Sequence, residues 1–138
     1  MTDRDKEISG SCLCGAVAFT VSNSFHDAYF CHCAQCRKIT GTAYAANLIT
    51  SPGALRWTAG ADHVTRFDHP TRGFSKAFCE VCGSGLPYLN SAQTALIVPA
   101  GALEGEPRVA KGARIFWGDR SSWGDHVADY PAFEAFPE

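Results

Sequence analysis

Seven cysteines fall in three clusters, and no other segment holds one. Cys31-His32-Cys33-Ala34-Gln35-Cys36 carries three, while Cys12-Leu13-Cys14 and Cys79-Glu80-Val81-Cys82 carry two each, followed by Gly15 and Gly83. Thiolates at these spacings are zinc ligands by type and by reach. A closed structural zinc takes four ligands, and a C-x-C pair plus a distant C-x-x-C pair supplies them from Cys12, Cys14, Cys79 and Cys82. Cys31, Cys33 and Cys36 are then one ligand short. That is the protein ligand count of a catalytic zinc, which keeps one position for water or substrate. The expectation is two zincs per chain, one closed and one open. A second partition also fits the spacing: Cys33 and Cys36 with Cys79 and Cys82, leaving Cys12, Cys14 and Cys31 outside.

Two other readings of the thiols compete. Buried reduced cysteines can serve as small hydrophobes, but ligand spacing beside glycine argues for metal. An iron–sulfur cluster is the other, and the spacings match none of its common patterns. His32 lies between two cysteines that must face the metal, so alternation points it away. His26, His63, His69 and His126 have no cysteine neighbours and read as surface or core histidines.

The elements that must position these thiols read mainly as short strands. Val17, Phe19 and Val21 alternate with smaller or polar residues, a period of two. Extended back, that strand puts Cys12 and Cys14 on one face. Phe25 to Phe30 is a second strand that delivers the chain into the central cluster. Cys33 to Ile39 makes about two turns of helix, stopped by Gly41. Further strands are expected at 42–50, 55–57, 64–67, 74–78, 86–89, 95–98 and 109–117. Ser51-Pro52-Gly53, Gly60 with Asp62, His69 to Gly73 and Asn90-Ser91 mark the turns. The tail from Ser121 holds Trp123, Tyr130, Phe133 and Phe136, which are expected to fold back over one end of the sheets. The fold class is mainly β: an antiparallel sandwich of short strands with a short helix after the central cluster.

The chain has 138 residues, 46% hydrophobic and 19% charged, enough for one domain with a proper core. Residues 1–8 read as a loose terminus and residues 9–138 as a single domain. A net charge of −2 gives no electrostatic case for nucleic acid. No apolar run is long enough to span a bilayer, and no signal-peptide core follows the polar start. A cytoplasmic location follows, where thiols stay reduced; an odd count of seven also argues against a disulfide framework.

Three segments resemble the glutathione-dependent formaldehyde-activating enzyme family: Gly10-Ser11-Cys12-Leu13-Cys14-Gly15-Ala16-Val17, Cys31-His32-Cys33-Ala34-Gln35-Cys36-Arg37-Lys38-Ile39-Thr40-Gly41, and Phe78-Cys79-Glu80-Val81-Cys82-Gly83-Ser84-Gly85-Leu86. Weaker echoes run through Val98 to Leu103, Ile115-Phe116, Trp123 and Tyr130 to Phe133. The resemblance implies a zinc-bound sandwich, with structural zinc on Cys12, Cys14, Cys79 and Cys82 and catalytic zinc on Cys31, Cys33 and Cys36. It also implies carbon–sulfur lyase chemistry that joins a small thiol, glutathione, to a small aldehyde, formaldehyde. Lys76, Arg114 and Glu104-Gly105 stand where the family often has other residues.

An open zinc on three thiolates can hold a fourth, from a substrate thiol, deprotonated near neutral pH. The three protein thiolates leave net negative charge, which favours thiol capture over water activation. Arg37 and Lys38 sit beside the cluster and are candidates for an anionic thiol's carboxylates; the bland alternative is a solvated helix face. The rival class is a zinc-stabilised binding scaffold or a metal-transfer module using the exposed thiols. A sulfoxide reductase would need a nucleophilic cysteine beyond the ligands, and none follows Cys82.

Overall fold

The structure, a computed structural model, describes residues 6–137. Among the described residues, the strands and the helix that follows the central cluster run in the order β1 (Glu7–Ser11), β2 (Ala18–Ser22), β3 (Phe25–Cys31), α1 (Ala34–Thr40), β4 (Ala45–Thr50), β5 (Leu55–Ala59), β6 (Val64–Asp68), β7 (Ser75–Cys79), β8 (Gly85–Leu86), β9 (Tyr88–Leu89), β10 (Leu96–Pro99), β11 (Leu103–Glu104) and β12 (Val109–Ile115). They form three sheets, ordered β11-β1-β2-β5, β12-β3-β4-β10-β9 and β6-β7-β8. The mainly β class and the short helix after the central cluster are as expected. β1 starts at Glu7 and buries Ile8, two residues ahead of the expected domain start; residues 1–5 lie outside the described residues.

The alternation in β2 buries Phe19 and Val21 and leaves Ala18 and Thr20 half-covered. With Val17 they join Ile8, Phe25, Leu48, Leu86, Leu96 and Val98 in one core. Cys12 and Cys79 belong to that core. Cys31 and Cys36 belong to a separate small cluster with Ala45, against which Ile115 packs. The two thiol sets therefore rest on different parts of the fold.

Two expectations change. Among the described residues, the strand pairs are antiparallel except β12 with β3, which run parallel, with Arg114 beside Phe30 and Ile115 beside Cys31. A long connection from β3 to β12 makes a parallel neighbour possible, and nothing in the local pattern of residues 109–115 marks it. The tail does not bury its aromatics: Trp123, Tyr130, Phe133 and Phe136 are all exposed. The segment does reach back, but through its small residues: Ser121 is buried, and an added Cβ at Gly124 would stand 3.1 Å from the Ala43 side chain.

Gly60 braces the loop that carries the first thiol pair. Its φ is +68°, and an added Cβ would stand 1.8 Å from the Ala16 carbonyl oxygen. Gly60→Ala combines left-handed strain with a backbone overlap, so we expect a loss of about 2–4 kcal/mol. A denaturant melt reads this directly, and a loss below about 1 kcal/mol would mean that the loop yields without cost.

Candidate metal centres and the adjoining cleft

Cys12 and Cys14 do not lie on a strand. β1 ends at Ser11, and the chain turns: the Gly15 N–H donates to the Cys12 carbonyl at 3.3 Å, with Gly15 at φ +84°. The Cys12 N–H then donates to the Val17 carbonyl at 3.0 Å, and the Val17 N–H donates to the Cys12 sulfur at 3.2 Å. Gly15 lets the turn close tightly enough to bring both thiols to one point, which a strand would have done by alternation. The second pair sits on the matching turn between β7 and β8. There the Gly83 N–H donates to the Cys79 carbonyl at 2.8 Å, with Gly83 at φ +80°. A Leu13 N–H to Ser84 Oγ bond of 3.0 Å ties the two turns together.

The four sulfurs of Cys12, Cys14, Cys79 and Cys82 lie within 4.8 Å of one another, as do the three of Cys31, Cys33 and Cys36. Cys12 and Cys14 sulfurs are 3.6 Å apart, Cys14 and Cys79 3.9 Å, and Cys31 and Cys33 3.4 Å. A tetrahedral ion with zinc–sulfur bonds of about 2.3 Å spaces its sulfurs about 3.8 Å apart. The donor sets therefore suit one such ion each. The sulfurs do not group as Cys33 and Cys36 with Cys79 and Cys82.

The electrostatics of the bare thiols point the same way. Ser84, whose hydroxyl lies 3.1 Å from the Cys82 sulfur, is the main reason that thiol is drawn down to about 5. An Ala16 N–H pulls Cys14 down, but desolvation and its three thiol neighbours outweigh it and leave it up at about 11. Burial, then the Cys31 and Cys33 sulfurs, push Cys36 far upward. Burial also pushes Cys33 up, but an N–H from Cys36 and the neighbouring thiols outweigh it, so Cys33 lies below its ordinary value. Crowded thiols cannot all ionise alone; a divalent cation removes that repulsion.

α1 supplies the local scaffold of the three-thiol set. Cys33 is its N-cap, and its sulfur accepts from the Cys36 N–H at 3.4 Å. Gly41 ends the helix at φ +70°, its N–H on the Arg37 carbonyl at 2.8 Å. Both ends fall within a residue of expectation. Arg37 is half-buried with its Nε donating to the His32 carbonyl at 3.3 Å, and Lys38 is exposed. Neither borders the cleft at Cys36.

That cleft, of about 290 Å³, is walled by Cys36, Tyr44, Phe74, Lys76 and Tyr88 among others. Among the described residues, Lys76 is its only charged wall. A shallower groove of about 680 Å³ runs past Cys12, Leu13 and Ser84 and shares Ile39, Thr40, Lys76, Pro99 and Gly101 with the cleft. Lys76 Nζ lies over Gly85, where an added Cβ would stand 3.1 Å away. Burial lowers the Lys76 amine, opposed by negative charge at Cys36. Burial raises the Tyr88 phenol to about 12, with the Cys36 charge adding to this. Tyr88 had no signal in the sequence, since it reaches Cys36 only through sheet register. Lys76, three residues before Cys79, stood out only as a departure from the family pattern.

Among the described residues, no helix is long and apolar enough to cross a membrane. Comparison with known proteins agrees with the geometry. A family model described as glutathione-dependent formaldehyde-activating enzyme matches residues 7–119. A Halomonas elongata protein, provisionally assigned the same activity, is 30% identical over 125 residues, covering 84% of this chain and 78% of its own. A crystal structure of a Rhodobacter sphaeroides protein superposes with a TM-score of 0.56 at 28% identity, covering 76% of this chain and 99% of that one. With the two thiol sets and the family model extending over most of the sequence, this chain belongs to the glutathione-dependent formaldehyde-activating enzyme family.

Proposed function

We propose that the chain is a zinc-dependent enzyme of carbon–sulfur lyase type. It joins a small thiol, glutathione or a close relative, to a small aldehyde such as formaldehyde, and runs the same step backwards. Family membership supports this reading, and one observation carries it: the three-thiol set opens onto a cleft through Cys36, with Lys76 and Tyr88 in the same wall. Cys31, Cys33 and Cys36 would hold one zinc, Cys12, Cys14, Cys79 and Cys82 another. The chemistry zinc supplies at the open set is stabilisation of a substrate thiolate at neutral pH.

The chain's own groups do the rest. Lys76 binds a carboxylate of the thiol, and the shared groove takes the remainder of its peptide body. The aldehyde sits in the cleft against Tyr88, whose phenol keeps its proton at neutral pH and donates to the carbonyl oxygen. The new bond joins sulfur to the carbonyl carbon. The thiol's proton leaves, the carbonyl π pair moves to oxygen, and that oxygen takes up a proton to become the hydroxyl. Close positioning of two small reactants is the main source of rate.

Adduct formation above the spontaneous rate, followed by exchange NMR on zinc-loaded protein, tests the activity. Lys76→Met should raise KM for glutathione about tenfold and leave kcat within about twofold, because one charge-assisted contact made throughout the reaction is lost. Cysteamine, a thiol without a carboxylate, should not notice the change. An equal effect on both thiols removes Lys76 from substrate binding. No activity with any thiol and aldehyde, together with easy loss of one metal to a chelator, would favour a metal-transfer module.

A further inference from the structure

The alternation that gathers Cys31 and Cys33 turns Phe30 and His32 the other way. On that side lies a separate cavity of about 430 Å³, bordered by Phe30, His32, Tyr44, Arg114, Trp117 and Asp125. Its lining is a run of ring contacts: Phe30 to Tyr44 at 5.8 Å between centroids, Tyr44 to His32 at 5.1 Å, and His32 to Trp117 at 5.1 Å. The chain enters it through Phe116, held at φ +53°, which sets Trp117 against the imidazole.

Two features of this cavity are unmet by the protein. His32 is only 7% exposed, yet neither Nδ1 nor Nε2 has a hydrogen-bond partner among the described residues. Buried imidazole nitrogens are ordinarily paired, so this ring is waiting for a polar atom. Arg114 is the second. Its guanidinium stacks over Trp117, with Cζ 4.6 Å from the ring centroid, and it has no hydrogen bond or ion pair among the described residues. Arg120 stacks on the same indole at 4.4 Å, but its Nε is engaged by Asp125 at 3.2 Å and its Nη1 by the Trp117 carbonyl at 3.0 Å. The cavity thus has aromatic walls, one uncompensated positive charge and one unsatisfied imidazole.

We propose that this cavity binds a small aromatic carboxylate, with the carboxylate on Arg114, the ring against the aromatic lining and a ring hydroxyl at His32. The volume lies in the range of ordinary small-ligand cavities and is far more than formaldehyde needs. A polyanion is disfavoured because Asp125 also lines the cavity and already neutralises Arg120. A cation is disfavoured by Arg114. The proposal stands on its own and does not depend on the thiol–aldehyde reading, since it uses none of the cysteines, Lys76 or Tyr88.

The test is a calorimetric titration of the full-length, zinc-loaded chain with 4-hydroxybenzoate, followed in parallel by tryptophan fluorescence. Saturable one-site binding is expected. Benzoate, lacking the hydroxyl, and 4-hydroxybenzyl alcohol, lacking the carboxylate, should each bind about tenfold more weakly. Arg114→Gln should weaken 4-hydroxybenzoate by a similar factor at unchanged zinc content, while Lys76→Met should have no effect. Absence of saturable binding overturns the proposal. So does binding that Lys76→Met weakens and Arg114→Gln does not, which would put the ligand in the Cys36 cleft. If Arg114→Gln misfolds, the two ligand analogues on the unaltered chain decide: equal affinity for all three compounds overturns it.

Discussion

Cys79→Ala should leave the chain unfolded at 25 °C, with one zinc lost and far-UV circular dichroism collapsed. Cys79 is fully buried within the main core, at the junction of two turns that come from opposite ends of the first eighty residues. A structural zinc contributes on the order of 10 kcal/mol to folding, and a whole domain is stable by only about 5–15 kcal/mol. Losing the metal's contribution therefore removes most or all of the stability. The alanine adds a small cavity, and Cys12, Cys14 and Cys82 remain crowded without the ion that reconciled them. Prolonged chelation of the unaltered chain should have the same outcome. A variant that melts within a few degrees of the parent would show that the four-thiol set is dispensable, and the closed-site assignment would fall.

Cys33→Ala should behave in the opposite way: a folded protein, one zinc fewer, and thiol–aldehyde activity reduced about 10³-fold or more toward the spontaneous rate. Its sulfur serves as the N-cap of α1, and losing that bond costs about 1 kcal/mol, a small part of the total. The small cluster around Cys31, Cys36 and Ala45 is not continuous with the main core, so emptying it spares the rest of the fold. Elemental analysis, a thermal melt and the adduct assay on the same preparation separate the outcomes. Retained activity would sink the three-thiol mechanism. Unfolding comparable to that of Cys79→Ala would mean that both sets are structural.

The contrast between these variants was legible in the sequence because ligand spacing is a local property. So were β2, whose apolar residues alternate strictly, and α1, which a glycine stops where the pattern ends. The hydrogen-bonding of the first thiol pair was not legible. Period-two alternation carried the strand back through Cys12 and Cys14, and only the Val17 and Gly15 contacts reveal the turn. The parallel pairing of β12 with β3 was hidden because register between distant segments leaves no trace in either one. The tail misled for a different reason: four aromatics suggest a buried face, yet their side chains stay in solvent. Lys76 and Tyr88 gain their place from sheet register, which composition does not encode.

The bridge between the first and second thiol pairs has a consequence in time as well as space. Cys14 and Cys79 are 65 residues apart in sequence yet their sulfurs lie 3.9 Å apart. At a synthesis rate of about 5–20 residues per second, the early pair waits roughly 3–13 s before its partners have been made. Cys31, Cys33 and Cys36 come from one short stretch and have no such delay. During its own translation the chain therefore carries two thiols that are exposed to oxidants and to stray metal. The order in which the two sets fill is written into the order of the sequence: the set proposed for chemistry can form first, and the set that holds the fold together must form last.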